Sequence, residues 1–408
     1  MIRAVWLLLL SLPAYGQPPA QLLVDASVRA AMDAAQRNEP ETLDLQMRLS
    51  EIPAPPFHEE ARGREVARLF TALGLRDVRT DSAGNVIGVR PGKSARPNLV
   101  FAAHLDTVFP EGTNVKVKRE GSLLKGPGVA DDSRGLAVML AVIRALNESR
   151  VETPGTITFV ADVGEEGLGD LRGMKALFHE TLKGQIDKFI SVDGTGLGIS
   201  NGGVGSNRYK VTFKGPGGHS YTAFGMANPI QAMGRAIAKI DALQVPTDPK
   251  TTFNVGRVGG GTSVNAIPFE AWMEVDMRSA DSSVLKDLDA RFNAAVRQAV
   301  SEENARWNNR SPVTVNAELL GVRPAGKTPK DSPIVRTALE VSRALRVEDS
   351  LYDASTDANL PMSLNIPAIT IGGGGVGTGA HSLEEAFDTT DSWRGTQRAL
   401  LLAIALAR

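Results

Sequence analysis

The feature that most constrains this sequence is a set of short apolar runs that each lead into a histidine or an acidic residue. Residues 98–103, for example, are almost entirely apolar and are followed directly by His104. Four such runs lead to His104, to Glu165–Glu166, to Asp193 and, through a glycine-rich stretch, to His381. Apolar runs of this length, alternating with helical patterns, are typical of buried strands in a largely parallel sheet.

The segments between these runs have helical periodicity. Residues 25–50 and 59–74 are amphipathic, whereas residues 135–143 are apolar on nearly every side and predict a buried helix. Asp131 lies on the loop that opens this helix. Because ligands bind beyond the carboxyl ends of strands in such sheets, we expect Asp131 and the side chains at the strand ends to share one site.

Residues 208–320 have a different pattern, with alternating strands and two helices in the order β-α-β-β-α-β. This order predicts a ferredoxin-like α+β domain with one solvated sheet face. The predicted fold class is therefore α/β: a mixed, mostly parallel sheet with helices on both faces, plus an inserted ferredoxin-like domain. The main domain would comprise residues 17–207 and 321–408, on either side of this insert.

Residues 1–16 have the pattern of a secretory signal peptide, with Arg3, a leucine run and small residues before Gln17. The apolar run is too short to span a bilayer. We therefore expect an exported protein, periplasmic or secreted, that does not bind the membrane after cleavage. The formal net charge of −1 and the lack of a basic stripe argue against nucleic acid as a partner.

The chain contains no cysteine, so any metal ion would be held by histidine, aspartate or glutamate. Imidazoles combined with carboxylates suit zinc and, less selectively, cobalt or manganese. A carboxylate on a loop, such as that of Asp131, can bridge two ions about 3.5–4 Å apart. In the pair Glu165–Glu166, one side chain can bind metal while the other transfers protons as a general base.

Five segments together resemble the dizinc exopeptidase family, which includes peptidase T, glutamate carboxypeptidase, carnosinase-type dipeptidases, aminoacylase and succinyl-diaminopimelate desuccinylase. They are Ala-His-Leu-Asp-Thr at 103–107, Gly-Val-Ala-Asp-Asp at 128–132, Gly-Glu-Glu-Gly at 164–167, Val-Asp-Gly at 192–194 and Gly-Ala-His-Ser at 379–382. The segments occur in the family order, and the resemblance covers nearly all of the chain after residue 16.

The resemblance implies that two zinc ions are bound by His104, Asp131, Asp193, Glu166 and His381. His104, Asp131 and Asp193 would hold one ion, and Asp131 would bridge to the second. Glu166 and His381 would complete the second site.

The resemblance also assigns roles beyond the ligands. Glu165 would be the general base, and Asp106 would sit behind the His104 imidazole. The peptide bond between Asp131 and Asp132 is expected to be cis, as in relatives.

The inserted domain resembles the family as well. Gly-Gly-His-Ser at 217–220 matches a segment that places His219 over the substrate, in dimeric members from the partner subunit. Asn265 and Arg278 match residues that contact substrate, and a guanidinium suits a substrate carboxylate. The resemblance therefore implies a homodimer in which the insert serves as a dimerisation and lid domain.

Three functions remain open from the sequence. The first is a zinc exopeptidase, of aminopeptidase or dipeptidase type, acting on small peptides with a water activated by two metal ions. The second is an amidohydrolase or carboxypeptidase acting on N-acyl amino acids. Within the family, an aspartate at position 193 tends to accompany aminopeptidases and dipeptidases, which favours the first. The third, a binding protein without turnover, is disfavoured because every expected ligand and the base are present.

Overall fold

The computed structural model describes residues 18–347 and 350–408, so the predicted signal peptide at 1–16 lies outside the described residues. No helix in this part of the chain has both the length and the apolar character required to cross a membrane. The helices are α1 (Pro19–Leu22), α2 (Ala26–Arg37), α3 (Glu39–Ser50), α4 (Glu60–Ala72), α5 (Ser133–Glu148), α6 (Arg172–Ala176), α7 (Pro229–Asp241), α8 (Ser282–Arg306), α9 (Pro333–Leu345), α10 (Asn359–Ser363) and α11 (Trp393–Leu406).

The strands belong to one large sheet, one sheet within the insert and two small sheets. They are β1 (Arg76–Thr80), β2 (Val86–Arg90), β3 (Asn98–His104), β4 (Lys118–Glu120), β5 (Leu123–Lys125), β6 (Thr156–Asp162), β7 (Lys188–Val192), β8 (Ile199–Gly203), β9 (Gly205–Lys214), β10 (Gly218–His219), β11 (Thr251–Gly260), β12 (Ala266–Ile267), β13 (Glu270–Ser279), β14 (Thr314–Arg323), β15 (Gly326–Lys327), β16 (Leu351–Ala354), β17 (Ala368–Ile371), β18 (Val376–Thr378) and β19 (Ala386–Asp388).

The large sheet has the order β1-β2-β6-β3-β7-β17-β8-β15, and β16 pairs with β8. Its four central strands, β6, β3, β7 and β17, run parallel to one another. Antiparallel pairs flank them, β1 with β2 and β2 with β6 on one side and β17 with β8 on the other. The predicted mixed sheet with a parallel centre is confirmed.

Alternation along β3 explains why helices cover both faces of this sheet. Leu99 and Phe101 point into a core that includes apolar residues of α2, α5 and α11. Val100 and Ala102 point into a second core, which contains residues of α6 and α10. A strand that is apolar on both sides must be covered on both sides, because successive side chains point in opposite directions.

The insert contains an antiparallel sheet with the order β11-β13-β9-β14. Helices α7 and α8 pack against it around the buried side chains of Phe213 and Phe292. Along β13, fully buried residues alternate with partly exposed ones, so one sheet face contacts the helices and the other faces outward. This is the predicted ferredoxin-like arrangement, and the predicted insert at 208–320 lies within the span from β9 to β14.

A small sheet with the order β18-β19-β5-β4 connects two distant loops. Its pairing of β19 with β5 places Ala386 opposite Lys125. The loop after β5, which leads to Asp131, therefore lies beside the loop before β19, which carries His381. These two loops and the carboxyl ends of the central parallel strands meet at one edge of the large sheet.

Candidate metal centre

Three of the predicted site segments follow directly from neighbouring parallel strands. His104 is the last residue of β3, and its partner in the register with β6 is Asp162. Glu165 and Glu166 follow the end of β6, and Asp193 follows β7 at once. Because β6, β3 and β7 are adjacent, their carboxyl ends bring these side chains to one edge, as the sequence predicted.

Asp131 lies between two imidazoles. Its Oδ1 is 3.1 Å from Nε2 of His104, and its Oδ2 is 3.1 Å from Nε2 of His381. The same nitrogen of His381 is 2.8 Å from Oε1 of Glu166. One carboxylate thus presents an oxygen to an imidazole on each side, which is the arrangement that a bridging ligand between two ions requires.

Two groups of side chains bring enough ligand atoms within 4.8 Å of one another to hold an ion: His104 with Asp131 and Glu166, and His104 with Asp132 and Asp193. Asp132 had not been predicted as a ligand. Its carboxylate accepts hydrogen bonds from the backbone N–H groups of His104, at 3.2 Å, and Gly135, at 3.0 Å, and caps α5. The expected cis peptide bond between Asp131 and Asp132 is present.

The charges in the site are strongly coupled. Although burial opposes it, hydrogen bonds from His104 and His381 hold the pKa of Asp131 well below its usual range. Hydrogen bonds to Asp131 and Glu166 raise the pKa of His381 to about 10. Asp131 is therefore ionised, and His381 carries a proton in the metal-free protein at neutral pH.

Other carboxyl groups of the site are held toward their neutral form. Burial and the charge of Asp131 raise the pKa of Asp193 to about 7. Burial likewise raises the pKa of Glu165, against the opposing charge of Arg323. Such a concentration of acidic groups lacks positive charge, and divalent cations held by two imidazoles and several carboxylate oxygens would supply it. This donor set fits two zinc ions.

Asp106 contacts the His104 imidazole through its main chain and the Glu165–Glu166 turn through its side chain. Nδ1 of His104 lies 3.0 Å from the main-chain oxygen of Asp106 and 3.7 Å from its carboxylate. The carboxylate instead accepts hydrogen bonds from the backbone N–H groups of residues 164, 165 and 166, at 2.8 to 3.1 Å. Gly164 has a φ of 74°, a left-handed conformation that glycine adopts readily and that belongs to this turn. Asp106 thus orients the imidazole through its carbonyl and fixes the Glu165–Glu166 turn through its side chain.

Glu385 holds the loop of Asp131 and was missed by the sequence analysis. Its buried carboxylate accepts backbone hydrogen bonds from Gly128, Ala130 and Asp131, at 2.8 to 3.1 Å. It lies four positions after His381 in the chain, so it ties together the loops of two predicted ligands. Only the pairing of β19 with β5 brings it there, and no local pattern announces it.

Two further buried contacts were also missed. Arg323, at the end of β14, forms an ion pair with Glu165, with Nη1 2.8 Å from Oε1. Behind the site, Asp162 and Asp357 are fully buried, and burial raises the pKa of both carboxyl groups. A carboxyl group that follows an apolar run signals this position for Asp162, whereas Asp357 has no such signal.

The three predicted site residues of the insert lie at different places relative to the metal-ligand cluster, and Arg278 on β13 pairs with Ser206 of β9, which pairs on its other side with Arg323. Among the described residues, no hydrogen bond or ion pair joins His219, Asn265 or Arg278 to that cluster. His219 and Asn265 are exposed, and Nε of Arg278 donates to Asp276 at 2.8 Å. Within a single chain, the fold therefore assembles the predicted metal ligands and base without these three.

Comparison with known sequences agrees with this geometry. The profile of peptidase family M20/M25/M40 matches residues 100–405, which is well over half of the chain. The chain belongs to this peptidase family. As an M20-family protein it is a hydrolase of a metallopeptidase family, and the match includes all the residues predicted to bind metal.

Relatives of this M20-family chain have different names. It is 27% identical over 349 residues to the uncharacterised protein YqjE of Bacillus subtilis, covering 82% of this chain and 90% of YqjE. It is 26% identical over 314 residues to carboxypeptidase G2 of a Pseudomonas species, covering 72% and 73%. Its fold is similar to the crystal structure of aminopeptidase PepT from Bacillus cereus, with a TM-score of 0.74, 22% identity and coverage of 91% and 99%.

Replacing Glu385 tests whether it holds the metal site. In Glu385→Gln, an amide NH2 faces backbone donors, so at least one hydrogen bond to the 128–131 loop is lost. We expect metal affinity to fall by about 10- to 100-fold, the usual effect of removing a group that orients a ligand. Competition against a chromophoric chelator measures this affinity. Glu384→Gln, at the exposed neighbouring position, should leave it unchanged. Unchanged affinity in a folded Glu385→Gln protein would contradict the assignment.

Metal binding should release protons at neutral pH. Because the pKa of His381 is about 10 without metal, its imidazole is protonated below that pH, and a metal ion takes the neutral form. Apparent affinity should therefore rise as the pH approaches 10. Calorimetry of zinc binding at pH 7.5, in buffers of different ionisation enthalpy, should detect at least one released proton per chain. His381→Gln should release one fewer, and His179→Gln, on the surface, should match the parent protein.

Proposed function

We propose that this protein is an exported zinc-dependent exopeptidase, of aminopeptidase or dipeptidase type, that hydrolyses small peptides. The observation that carries the proposal is the position of Asp131, with one oxygen on His104 and the other on His381. A carboxylate with one imidazole at each oxygen could bridge two metal ions about 3.5–4 Å apart. Glu165 lies in the same turn as the proposed ligand Glu166 and is the proposed general base.

The roles of the side chains follow from their positions. Two zinc ions, when bound by the five predicted ligands, would polarise the scissile carbonyl and acidify a water molecule. Cobalt or manganese would suit the same donors less selectively. Oε1 of Glu165 is engaged by Arg323, which leaves Oε2 to accept the proton of the attacking water. The same oxygen then returns the proton to the leaving amine.

The insert would supply the remaining contacts with substrate. In the proposed homodimer, His219 of one subunit donates a hydrogen bond to the oxyanion in the site of the other. Asn265 and Arg278 contact the same substrate, and the guanidinium pairs with its carboxylate. His219 and Asn265 are exposed, and among the described residues neither makes a hydrogen bond or ion pair to the metal ligands, which supports their contribution from a second copy. We assign residues 17–207 and 321–408 to the catalytic domain, and residues 208–320 to dimerisation.

A second candidate is an amidohydrolase that releases an acyl group from N-acyl amino acids. The similarity to carboxypeptidase G2 favours it, since that name describes removal of a C-terminal residue. Arg278 suits the free carboxylate of such substrates as well as that of a dipeptide. Against it stands Asp193, because in this family glutamate at that position tends to accompany carboxypeptidases and deacylases.

A substrate panel with two matched variants tests the mechanism. Dipeptides, tripeptides and N-acyl amino acids are incubated with the parent protein, with and without chelator. We expect dipeptide or tripeptide hydrolysis that chelator abolishes and added zinc restores. Glu165→Gln should lower kcat by about 10²- to 10⁴-fold, because it removes proton transfer, and should keep its metal content. Glu166→Gln should lose metal as well as activity.

Each outcome of this panel has a distinct meaning. Hydrolysis that persists both after metal removal and in Glu165→Gln would contradict the mechanism. Hydrolysis of N-acyl amino acids alone would replace the exopeptidase by the amidohydrolase. Detection of the mature N-terminus by mass spectrometry, in a bacterial host that exports the full chain, tests the cleavage proposed after residue 16.

The exposed apolar side chains around His219 make a prediction about the dimer. Tyr221 and Phe224 are 85% and 72% exposed and lie in the loop that follows His219. A contiguous apolar patch on a monomer surface marks an interaction site. We expect Tyr221→Asp/Phe224→Asp to be monomeric in sedimentation and to lose most of its kcat, because His219 no longer reaches a second site.

The control is Leu364→Asp, which places a negative charge on an exposed leucine of the other domain. It should stay dimeric and active. A folded monomer of the double variant with full activity would exclude a histidine supplied across subunits. A parent protein that is already monomeric and active would exclude it as well.

A further inference from the structure

We propose that Arg323 is a positioning residue for Glu165, and that it makes the last strand of the insert part of the catalytic machinery. The inference rests on the proposed function in one respect, since it takes Glu165 as the general base. It goes beyond that function by assigning a role to a residue outside every motif that the sequence analysis used.

The guanidinium of Arg323 binds Glu165 at two places. Nη1 donates to the carboxylate oxygen Oε1 at 2.8 Å, and Nη2 donates to the main-chain oxygen of the same residue. Nη1 also lies 3.2 Å from Oγ of Ser355. A planar fork that holds both the main chain and the side chain of one residue restricts the rotation of that side chain.

The pair is isolated from solvent. The side chains of Arg323 and Glu165 are each 6% exposed, so water competes little for their hydrogen bonds. In the described part of the chain, no hydrogen bond is made to Oε2 of Glu165. Arg323 therefore fixes one oxygen of the base and leaves the other available for a proton.

The backbone and the side chain of Glu165 are held by residues at or just after the ends of strands in two different sheets. The carboxylate of Asp106, which follows β3, accepts hydrogen bonds from the backbone N–H groups of residues 164–166 and fixes the backbone of this turn. None of those bonds constrains the Glu165 side chain. Arg323, the last residue of β14 in the four-stranded sheet, provides that constraint.

Contacts of the neighbouring residues hold the end of β14, and with it Arg323, beside Glu165. The backbone N–H of Val322 donates to Oδ1 of Asp170 at 2.6 Å, and its carbonyl accepts from Nζ of Lys175 at 3.1 Å. On the neighbouring strand β9, Arg208 donates to the carbonyl of Gly167. The ends of β9 and β14 are thus attached to the segment that follows Glu165. A shift of the insert would move the base through Arg323.

Arg323→Ala and Arg323→Lys test this role, with Arg208→Ala as the matched control. Arg208 joins the same strands to the same segment but does not touch the Glu165 side chain. For Arg323→Ala, we expect kcat on the best substrate of the panel to fall by about 100-fold, as for a misplaced catalytic group, with KM within about threefold. Arg323→Lys should recover part of the loss, because an ammonium can still bind Oε1. Arg208→Ala should keep kcat within about threefold.

Chemical rescue separates positioning from a structural role. Guanidinium at millimolar, non-denaturing concentration should raise the kcat of Arg323→Ala by about tenfold or more, because it can occupy the vacated space beside Glu165. It should restore nothing in Glu165→Gln. Metal content and thermal stability of each variant are measured alongside.

Several results would overturn the proposal. These are a kcat within threefold of the parent protein, a loss explained by lost metal or unfolding without rescue, or a rise in KM at unchanged kcat. The last would make Arg323 a substrate-binding residue instead.

Failure of the proposed function is distinguishable, because it shows as a parent protein that hydrolyses nothing in the panel. In that case, a double-mutant cycle of Arg323→Ala and Glu165→Gln in denaturant unfolding decides whether the two residues are coupled. Additive effects would then refute the pairing itself.

Discussion

The concentration of carboxylates at the ends of adjacent parallel strands is the constraint on which the rest of this structure depends. Parallel pairing of β6, β3 and β7 places acidic side chains close together in a largely buried site. Burial and mutual repulsion disfavour their ionised forms, and the raised pKa of Asp193 expresses this cost. Two imidazoles, one guanidinium and the proposed metal ions supply the compensating positive charge. The acidic edge is therefore suited to binding cations.

Because repulsion would spread these side chains, the fold fixes their loops through the backbone. Asp106 binds the turn that carries Glu165 and Glu166, and Glu385 binds the loop that carries Asp131. In both cases one carboxylate accepts hydrogen bonds from several backbone N–H groups. This arrangement lets an anion stabilise a loop without a neighbouring cation. The ligand positions thus persist independently of the ions they would hold.

The sequence predicted the strand ends, because apolar runs and their terminating residues are local features. It also predicted the insert, whose element order defines its topology. It did not reveal Glu385 or Arg323, since each reaches the site only through a strand register between distant segments. Nor did it distinguish the carbonyl of Asp106 from its carboxylate as the partner of His104. A spacing of two residues along the chain fits both contacts, and only the folded structure distinguishes them.

The insert relates to the site in two different ways, and the difference follows from its topology. Strand β14 leads back into the main domain, so Arg323 is fixed close to Glu165 by chain continuity. His219 and Asn265 instead lie exposed at the pair of strands β10 and β12, and in the described part of the chain neither makes a hydrogen bond to the metal ligands. The contact of Arg323 with Glu165 therefore forms within one chain. The proposed contact of His219 with a substrate would form only when two chains assemble. In that dimer, the four-stranded sheet that contacts Glu165 through Arg323 would belong to the same domain as the His219 that reaches the neighbouring site.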